Sequence, residues 1–205
     1  MKFVVFTLGS LQTNCYLLEN DGRCVVIDAA DSADFILEYT QREKLQIEVV
    51  IATHGHFDHV LAAGEICAST GADFWVNPED DFLLKRTEKT ARHFLQRDPL
   101  MMPFPVPTAL KEGTFELAGI KIDVIHTPGH TPGSCCLYVK DEAAIFTGDV
   151  VFKDGIGDYQ HKYSSKADLL ASLHKLAKLP PMTRVNPGHG EEMTVKEVGE
   201  MIAFL

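Results

Sequence analysis

Thr53-His54-Gly55-His56-Phe57-Asp58-His59 is the stretch that most constrains what this chain can become. Three imidazoles and a carboxylate crowd into it directly after the apolar run Val49-Val50-Ile51-Ala52, so a strand delivers a dense set of nitrogen and oxygen donors into the loop that follows. In extended geometry His54, His56 and Asp58 share one side and His59 falls on the other, and a bend there would present two groups of ligands to two neighbouring sites. Paired histidines at i, i+4 on a helix mark a different class of zinc protein. The bland alternative is a polar surface loop, and partner ligands downstream weigh against it.

Three later loops each place a metal-type side chain just after a predicted strand: His130 in Thr127-Pro128-Gly129-His130-Thr131-Pro132-Gly133, Asp149 in Thr147-Gly148-Asp149, and His189 in Asn186-Pro187-Gly188-His189-Gly190. Glycine and proline fix such loops and leave the ligand room to point inward.

Around these loops the pattern predicts strands over 2–8, 14–19 and 23–28, the last two joined by an Asn20-Asp21-Gly22 turn. A helix follows from Asp31-Ser32 to about 44, then a strand over 49–52, a helix over 59–70 ended by Gly71, a strand over 72–76, and a helix from Asn77-Pro78-Glu79 to about 96. Residues 98–107 carry Pro99, Pro103, Pro105 and Pro107 among Met101, Met102 and Phe104, and form a stiff loop that either covers the core or walls a substrate pocket. Strands over 114–117, 121–126, 134–140 and 143–147 come next, with Asp141-Glu142 linking the last two. A helix over 165–178 stopped by Pro180-Pro181, a strand over 183–186 and a helix over 194–204 complete the pattern. The order predicts an α/β fold, an αββα sandwich of two mixed β-sheets flanked by helices, as one domain over residues 1–205.

Charge and cysteine content narrow the function. With 19 basic against 29 acidic residues and a net charge of −10, neither nucleic acid nor an anionic membrane is an expected partner, and a small-molecule substrate is. An anionic substrate would be held by local cations, chiefly bound metal. No apolar run reaches membrane-spanning length, and the first residues meet Thr7 and Gly9-Ser10 too soon for a signal peptide. The five cysteines read as reduced thiols of a cytoplasmic protein, with Cys15, Cys24, Cys67, Cys135 and Cys136 assigned to packing. The oligomeric state is open.

The succession HxHxDH, an isolated His, an Asp after a strand and a His in a PGHG loop resembles the metallo-β-lactamase superfamily. TPGHTPGS and TGDVVF are most similar to glyoxalase II (hydroxyacylglutathione hydrolase) and its short single-domain relatives, over roughly residues 7–194. The resemblance implies that His54, His56 and His130 hold a first divalent metal, that Asp58, His59 and His189 hold a second, that Asp149 bridges them, and that Asp28 supports the metal loop. Zinc is the first expectation, with iron or manganese also suited to a nitrogen and oxygen set. Two such ions stand roughly 3.5–4 Å apart and lower the pKa of a shared water toward neutrality, which provides a nucleophile for a thioester carbonyl, with Asp58 as a proton relay. The implied reaction is hydrolysis of a small thioester of the hydroxyacylglutathione kind; a smaller or different thiol would serve the same ligands, since the C-terminal helical domain of full glyoxalase II is not expected here. Rival readings within the superfamily are a mono-iron persulfide dioxygenase and a lactonase or β-lactamase; a non-enzymatic metal-stabilised domain is the remaining one.

The chain departs from the pattern at Asp158, where the short relatives carry arginine, and Lys153, Lys162 and Tyr159 are the candidates to compensate. Ala29-Ala30 stands for Pro-Gly and Leu61-Ala62 for Gly-Gly. Of the histidines outside the ligand set, His126 is a candidate to orient a ligand, His93 and His174 read as surface or packing residues, and His161 is unassigned.

Overall fold

A computed structural model describes residues 1–204. The first sheet runs in the order β1 (Lys2–Leu8), β2 (Thr13–Asn20), β3 (Arg23–Ile27), β4 (Gln46–Ile51), β5 (Asp73–Val76) and β6 (Thr108–Ala109). Its first three strands are antiparallel and the rest parallel, because helices cross over after β3 and β4. The second sheet takes β7 (Gly113–Leu117), β8 (Ile120–His126), β9 (Cys135–Val139) and β10 (Ala144–Gly148) as an antiparallel meander. A small hairpin, β11 (Val151–Phe152) and β12 (Gly155–Ile156), follows; then β13 (Arg184–Pro187) pairs parallel to β10, and β14 (Met193–Thr194) closes the edge.

Strand alternation builds the layers. In β2, Cys15 and Leu17 face the helices while Tyr16 and Leu18 face the other sheet; in β3, Cys24 and Val26 oppose Val25 and Ile27 in the same way. Both faces are buried, so these strands read as near-continuous apolar runs. A bulge at Glu48 shifts the phase of β4, so that Ile47 and Val50 share the helix side. Glu48 thereby faces Arg23 at 3.0 Å and accepts the Ala118 amide at 2.7 Å. The layer between the sheets is filled by Ile27, Ile51, Ile122, Leu137 and Phe146, with Phe3 and Tyr16 edge-on to Phe146 at 5.3 and 4.9 Å.

Helices α1 (Ala33–Glu43) and α3 (Ala63–Thr70) cover the outer face of the first sheet, and α6 (Lys166–Leu176) and α7 (Val195–Ile202) cover the second through Leu169, Leu173, Val195 and Val198. The result is the predicted αββα sandwich. Ser165 caps α6 through the Asp168 amide, and Thr194 with Glu197 forms a capping box on α7.

Several boundaries move. The helix expected over 59–70 begins earlier, as α2 (Phe57–Val60), and breaks before α3, so Asp58 and His59 stand on a helical turn rather than in an extended loop. The helix expected from Asn77 to 96 divides into a 3-10 turn over Pro78–Asp80, α4 (Asp81–Leu84) and α5 (Thr87–Leu95). The break at Lys85-Arg86 lets Leu84 reach the core under the first sheet while Ala91 and Leu95 pack on Phe57 and Leu61. Four short strands, β6, β11, β12 and β14, carry too little pattern to be foreseen. Of the two readings of the proline-rich loop, the covering one holds: Met101 packs beside Phe57 and Leu61, and Phe104 stacks on Phe74 at 5.3 Å. All five cysteines are free and buried.

Candidate metal centre

The site lies at one end of the sandwich, where loops leaving both sheets meet. β4 delivers Thr53 to His56, α2 carries Asp58 and His59, the turn between β8 and β9 carries His130, the end of β10 carries Asp149, and the turn after β13 carries His189. The parallel pairing of β10 with β13 sets the last two side by side, and an isolated bridge from Thr13 to His189 ties that edge to the first sheet. Gly188 is required at this junction, because a Cβ there would run into Asp149 Oδ1 and His59 Cε1.

All seven predicted ligands converge, in two groups. His54, His56, His130 and Asp149 form one, and Asp58, His59 and His189 the other, with the ligand atoms of each group within 4.8 Å of one another. Asp149 faces both: Oδ2 lies 4.0 Å from His54 Nε2 and 3.7 Å from His130 Nε2, while Oδ1 lies 3.4 Å from His59 Nε2 and 3.7 Å from His189 Nε2. Asp58 Oδ2 completes the second group at 3.5 Å from His59 Nε2 and 3.2 Å from His189 Nε2.

The outer nitrogens of the imidazoles decide what the inner ones offer. His130 Nδ1 donates to the Asp158 carbonyl at 2.8 Å and His189 Nδ1 to the Leu11 carbonyl at 3.1 Å. His59 Nδ1 stands 3.0 Å from Asp28 Oδ2. Thr53 gives its hydroxyl proton to the same Asp28 oxygen at 2.8 Å, so at 3.1 Å its oxygen can only accept from His54 Nδ1. The outer nitrogens of these four imidazoles thus face oxygen atoms, so each ring, once neutral, turns a lone pair inward. The fifth, His56, contacts the Tyr163 hydroxyl through Nε2 at 2.9 Å and turns Nδ1 toward His130 Nε2 at 3.0 Å.

A ring of lone pairs and carboxylate oxygens turned inward is a receptacle for cations. His54 Nε2, His59 Nε2 and Asp149 Oδ1 are buried with no hydrogen-bond partner among the described residues, a costly arrangement unless a cation completes it. The donor set therefore fits divalent metal ions, and nitrogen with oxygen suits zinc, iron and manganese alike.

Titration behaviour follows the same field. Burial and the neighbouring imidazoles hold His54 well below its ordinary value and His56 down to about 3. Burial works against His59 and His189 too, but Asp149, Asp58 and Asp28 outweigh it at His59, and Asp58 outweighs it at His189, so both are raised. Burial pushes Asp58 and Asp149 up, and His59 with its neighbouring imidazoles overcomes this and holds both low, as carboxylates.

Three supports have different fates. Asp28 does what was expected: Oδ1 accepts the Thr53 amide at 2.7 Å, from a left-handed backbone position at φ 51°. Ala30, also left-handed at φ 52°, carries a steric cost that a glycine there would avoid. His126 does not touch a ligand; its Nε2 bonds the Pro132 carbonyl at 2.8 Å and so steadies the His130 loop. Lys153 pairs with Glu191, and Lys166 sits over Tyr159 at 5.4 Å, so neither Lys153 nor Tyr159 compensates for Asp158, whose carbonyl bonds His130 while its carboxylate accepts the Gln160 amide at 2.8 Å and lies 3.6 Å from His161 Nε2.

Two functional positions escaped the sequence. Asp80, fully buried, accepts hydrogen bonds from Gly55, Gly133 and Thr131 and joins two ligand loops. Tyr163 reaches His56 and stacks on His161 at 5.1 Å, which brings His161 to the site as well. The nearest signal was the motif-free run after Asp158, whose aromatic and histidine content has no other use.

A cavity of about 400 Å³ opens onto the centre. Its floor is His56, Asp58, His130, Asp149 and His189, and its wall is Leu11, Phe57, Leu83 and Phe94, with Arg86 also lining it.

The family model described as "Metallo-beta-lactamase superfamily" matches residues 8–189. Hydroxyacylglutathione hydrolase GloC of Haemophilus influenzae is 30% identical over 100% of this chain and 98% of its own. Among solved structures, the BLEG-1 B3 metallo-beta-lactamase is similar at TM-score 0.91 and 31% identity, over 100% of this chain and 99% of that one. TTHA1623 in a di-iron-bound form is similar at TM-score 0.89 and 34% identity, over 98% of this chain and 100% of that one.

Proposed function

The chain belongs to the metallo-beta-lactamase superfamily, and on that premise we propose that it is a two-metal hydrolase of the glyoxalase II type that cleaves a small thioester. The observation that carries the reading is Asp149, which turns one carboxylate oxygen toward each ligand group. A shared carboxylate between two complete donor sets is what a dinuclear centre needs. The 30% relative named for hydroxyacylglutathione hydrolysis supports the choice of a thioester.

His54, His56 and His130 would hold one ion, Asp58, His59 and His189 the other, and Asp149 both. When bound, the two ions supply Lewis acidity toward an acyl oxygen and a water of lowered pKa. Zinc is our first assignment, and the di-iron form of a 34% identical protein keeps iron as the second.

The chain's own groups do the remaining work. Asp58 lines the cavity and is held ionised by the imidazoles beside it, so it can take the proton of an attacking water and return it to a departing thiolate. Thr13 Oγ1 donates to Asp58 Oδ2 at 3.1 Å and fixes that carboxylate. Leu11, Phe57, Leu83 and Phe94 exclude solvent from one side of the substrate, which strengthens every charge interaction inside.

The test is metal content together with turnover. We expect about two metals per chain, falling toward one in Asp58→Ala, and hydrolysis of S-lactoylglutathione above background. A single iron unchanged by that substitution, with oxygen consumed on addition of glutathione persulfide, would replace this reading with the persulfide dioxygenase one. Activity confined to lactones or β-lactams would move the substrate and leave the centre.

A further inference from the structure

Arg86 has no acidic partner among the described residues. It sits at the break between α4 and α5 with its backbone fixed, its N–H donating to the Leu83 carbonyl at 2.9 Å and its carbonyl accepting the Thr90 amide at 2.8 Å. Of the basic residues on this helical edge, Lys85 pairs with Asp81, Arg92 with Glu88 and Asp98, and Arg97 with Asp31; Lys89 is unpaired among the described residues but does not line the cavity. Among the described residues no carboxylate lies within 4.0 Å of Arg86, and its side chain makes no hydrogen bond. Its guanidinium lies over the Phe82 ring at 5.3 Å; Phe82 meets Tyr163 edge-on at 5.2 Å, and Tyr163 reaches His56. The guanidinium thus caps an aromatic row, Phe82 and then Tyr163, that ends on His56.

Within the cavity lining Arg86 is the one lysine or arginine among the described residues. Position 158, beside the site, is an aspartate, Lys153 is paired with Glu191, and Lys166 lies over Tyr159. In a chain of net charge −10, an unpaired guanidinium stacked on an aromatic face beside an apolar wall is a ready binder of a planar anion.

We propose that Arg86 is the specificity-determining residue of this pocket and selects thioesters that carry a free carboxylate away from the scissile carbonyl. The carboxylate pairs with the guanidinium over Phe82, the aliphatic part of the molecule lies on Leu83 and Phe94, and the thioester reaches the ligand floor. One cation with no clustered amides matches a carboxylate and falls short of what a phosphate requires. The proposal rests on the thioesterase reading for the identity of the reacting group, and on the geometry alone for the anion.

The experiment compares thioesters that differ only in bearing a terminal carboxylate or its amide, on the acyl side and on the thiol side, at several chain lengths. For at least one length the carboxylate form is expected to have a kcat/KM roughly 10- to 100-fold above the amide, mainly through KM. That ratio falls toward one in Arg86→Met and is partly restored in Arg86→Lys, with the metal count as the check that each variant is folded. Binding of the matching ketones, in which a methylene replaces the sulfur, is measured by calorimetry on the same variants and requires no turnover. A carboxylate preference in the wild type that vanishes in Arg86→Met supports the proposal in either assay. No preference at any length, or one that survives Arg86→Met, overturns it. If no thioester is cleaved, the hydrolase reading fails, and the ketone titrations still decide the role of Arg86.

Discussion

Asp80 Oδ2 accepts the backbone N–H of Gly55 at 2.8 Å, which anchors the middle of the ligand run to the turn that follows β5. The same oxygen takes the Thr131 hydroxyl at 2.7 Å, and Oδ1 takes the Gly133 amide at 2.8 Å, so one buried carboxylate fixes the loops of His54, His56 and His130 together. Burial pushes this carboxyl above its ordinary value, and the three donors partly offset that.

Asp80→Asn points an amide N–H at one of these donors. We expect a loss of about 1–3 kcal/mol in stability from the mismatched buried group and a metal affinity roughly 10- to 100-fold weaker. Urea unfolding of the metal-free protein and competition with a chelator measure the two separately. An unchanged affinity would mean the loops hold their shape without Asp80.

Tyr163→Phe removes the partner that orients His56. Because His56 is the imidazole whose tautomer no fixed acceptor dictates, loss of the hydroxyl should weaken the first metal by about tenfold and spare the second. Metal retained per chain during stepwise dialysis against chelator reads this out; equal loss from both positions would assign Tyr163 to general packing.

Metal and protons compete at His59 and His189. Both are raised in the folded protein, so without metal each keeps its proton to a higher pH than a free imidazole does, and binding must expel it. Apparent affinity should therefore keep rising with pH above 6.5, through the raised values of these two groups, with proton release visible as a dependence of the calorimetric enthalpy on buffer. For the metal-free protein the sign is opposite. The stability these two groups contribute is complete below their unfolded value of 6.5 and is lost as pH rises through their folded values, so alkaline solution should lower its Tm.

Phe146→Ala tests the packing between the sheets. The ring is wholly buried and held edge-on by Phe3 and Tyr16, so its removal should cost about 3–5 kcal/mol. The variant that remains folded should bind metal as before; a lost second metal would show that the β10 and β13 edge is not rigid on its own.

The ligands were legible because chemistry forced unusual residues into short runs: no core requires His54, His56, Asp58 and His59 in succession, and glycine and proline marked each later loop. The sandwich was legible because short apolar runs are punctuated by turn residues along 2–28 and 113–148. What stayed hidden depends on contacts distant in sequence. Asp80 looks like any acid at the start of a helix until Gly133 is brought to it. Arg86 looks like a solvated cation until the helix breaks beside it. The phase shift in β4 could not be read, because Glu48 is polar for a reason found only in Arg23 and Ala118.

The pairing of β10 with β13 carries a consequence for the chain as it is made. His189 arrives only with the turn beyond β13, so the group it forms with Asp58 and His59 stays incomplete until β13 has docked beside β10. A nascent chain that has already exposed His54 through His59 to the solvent therefore holds an open, half-built chelate for most of its synthesis. Any ion caught early is gripped by one side only and exchanges freely. Selection among metals is deferred to the closing of the second sheet, when the whole donor set first exists at once.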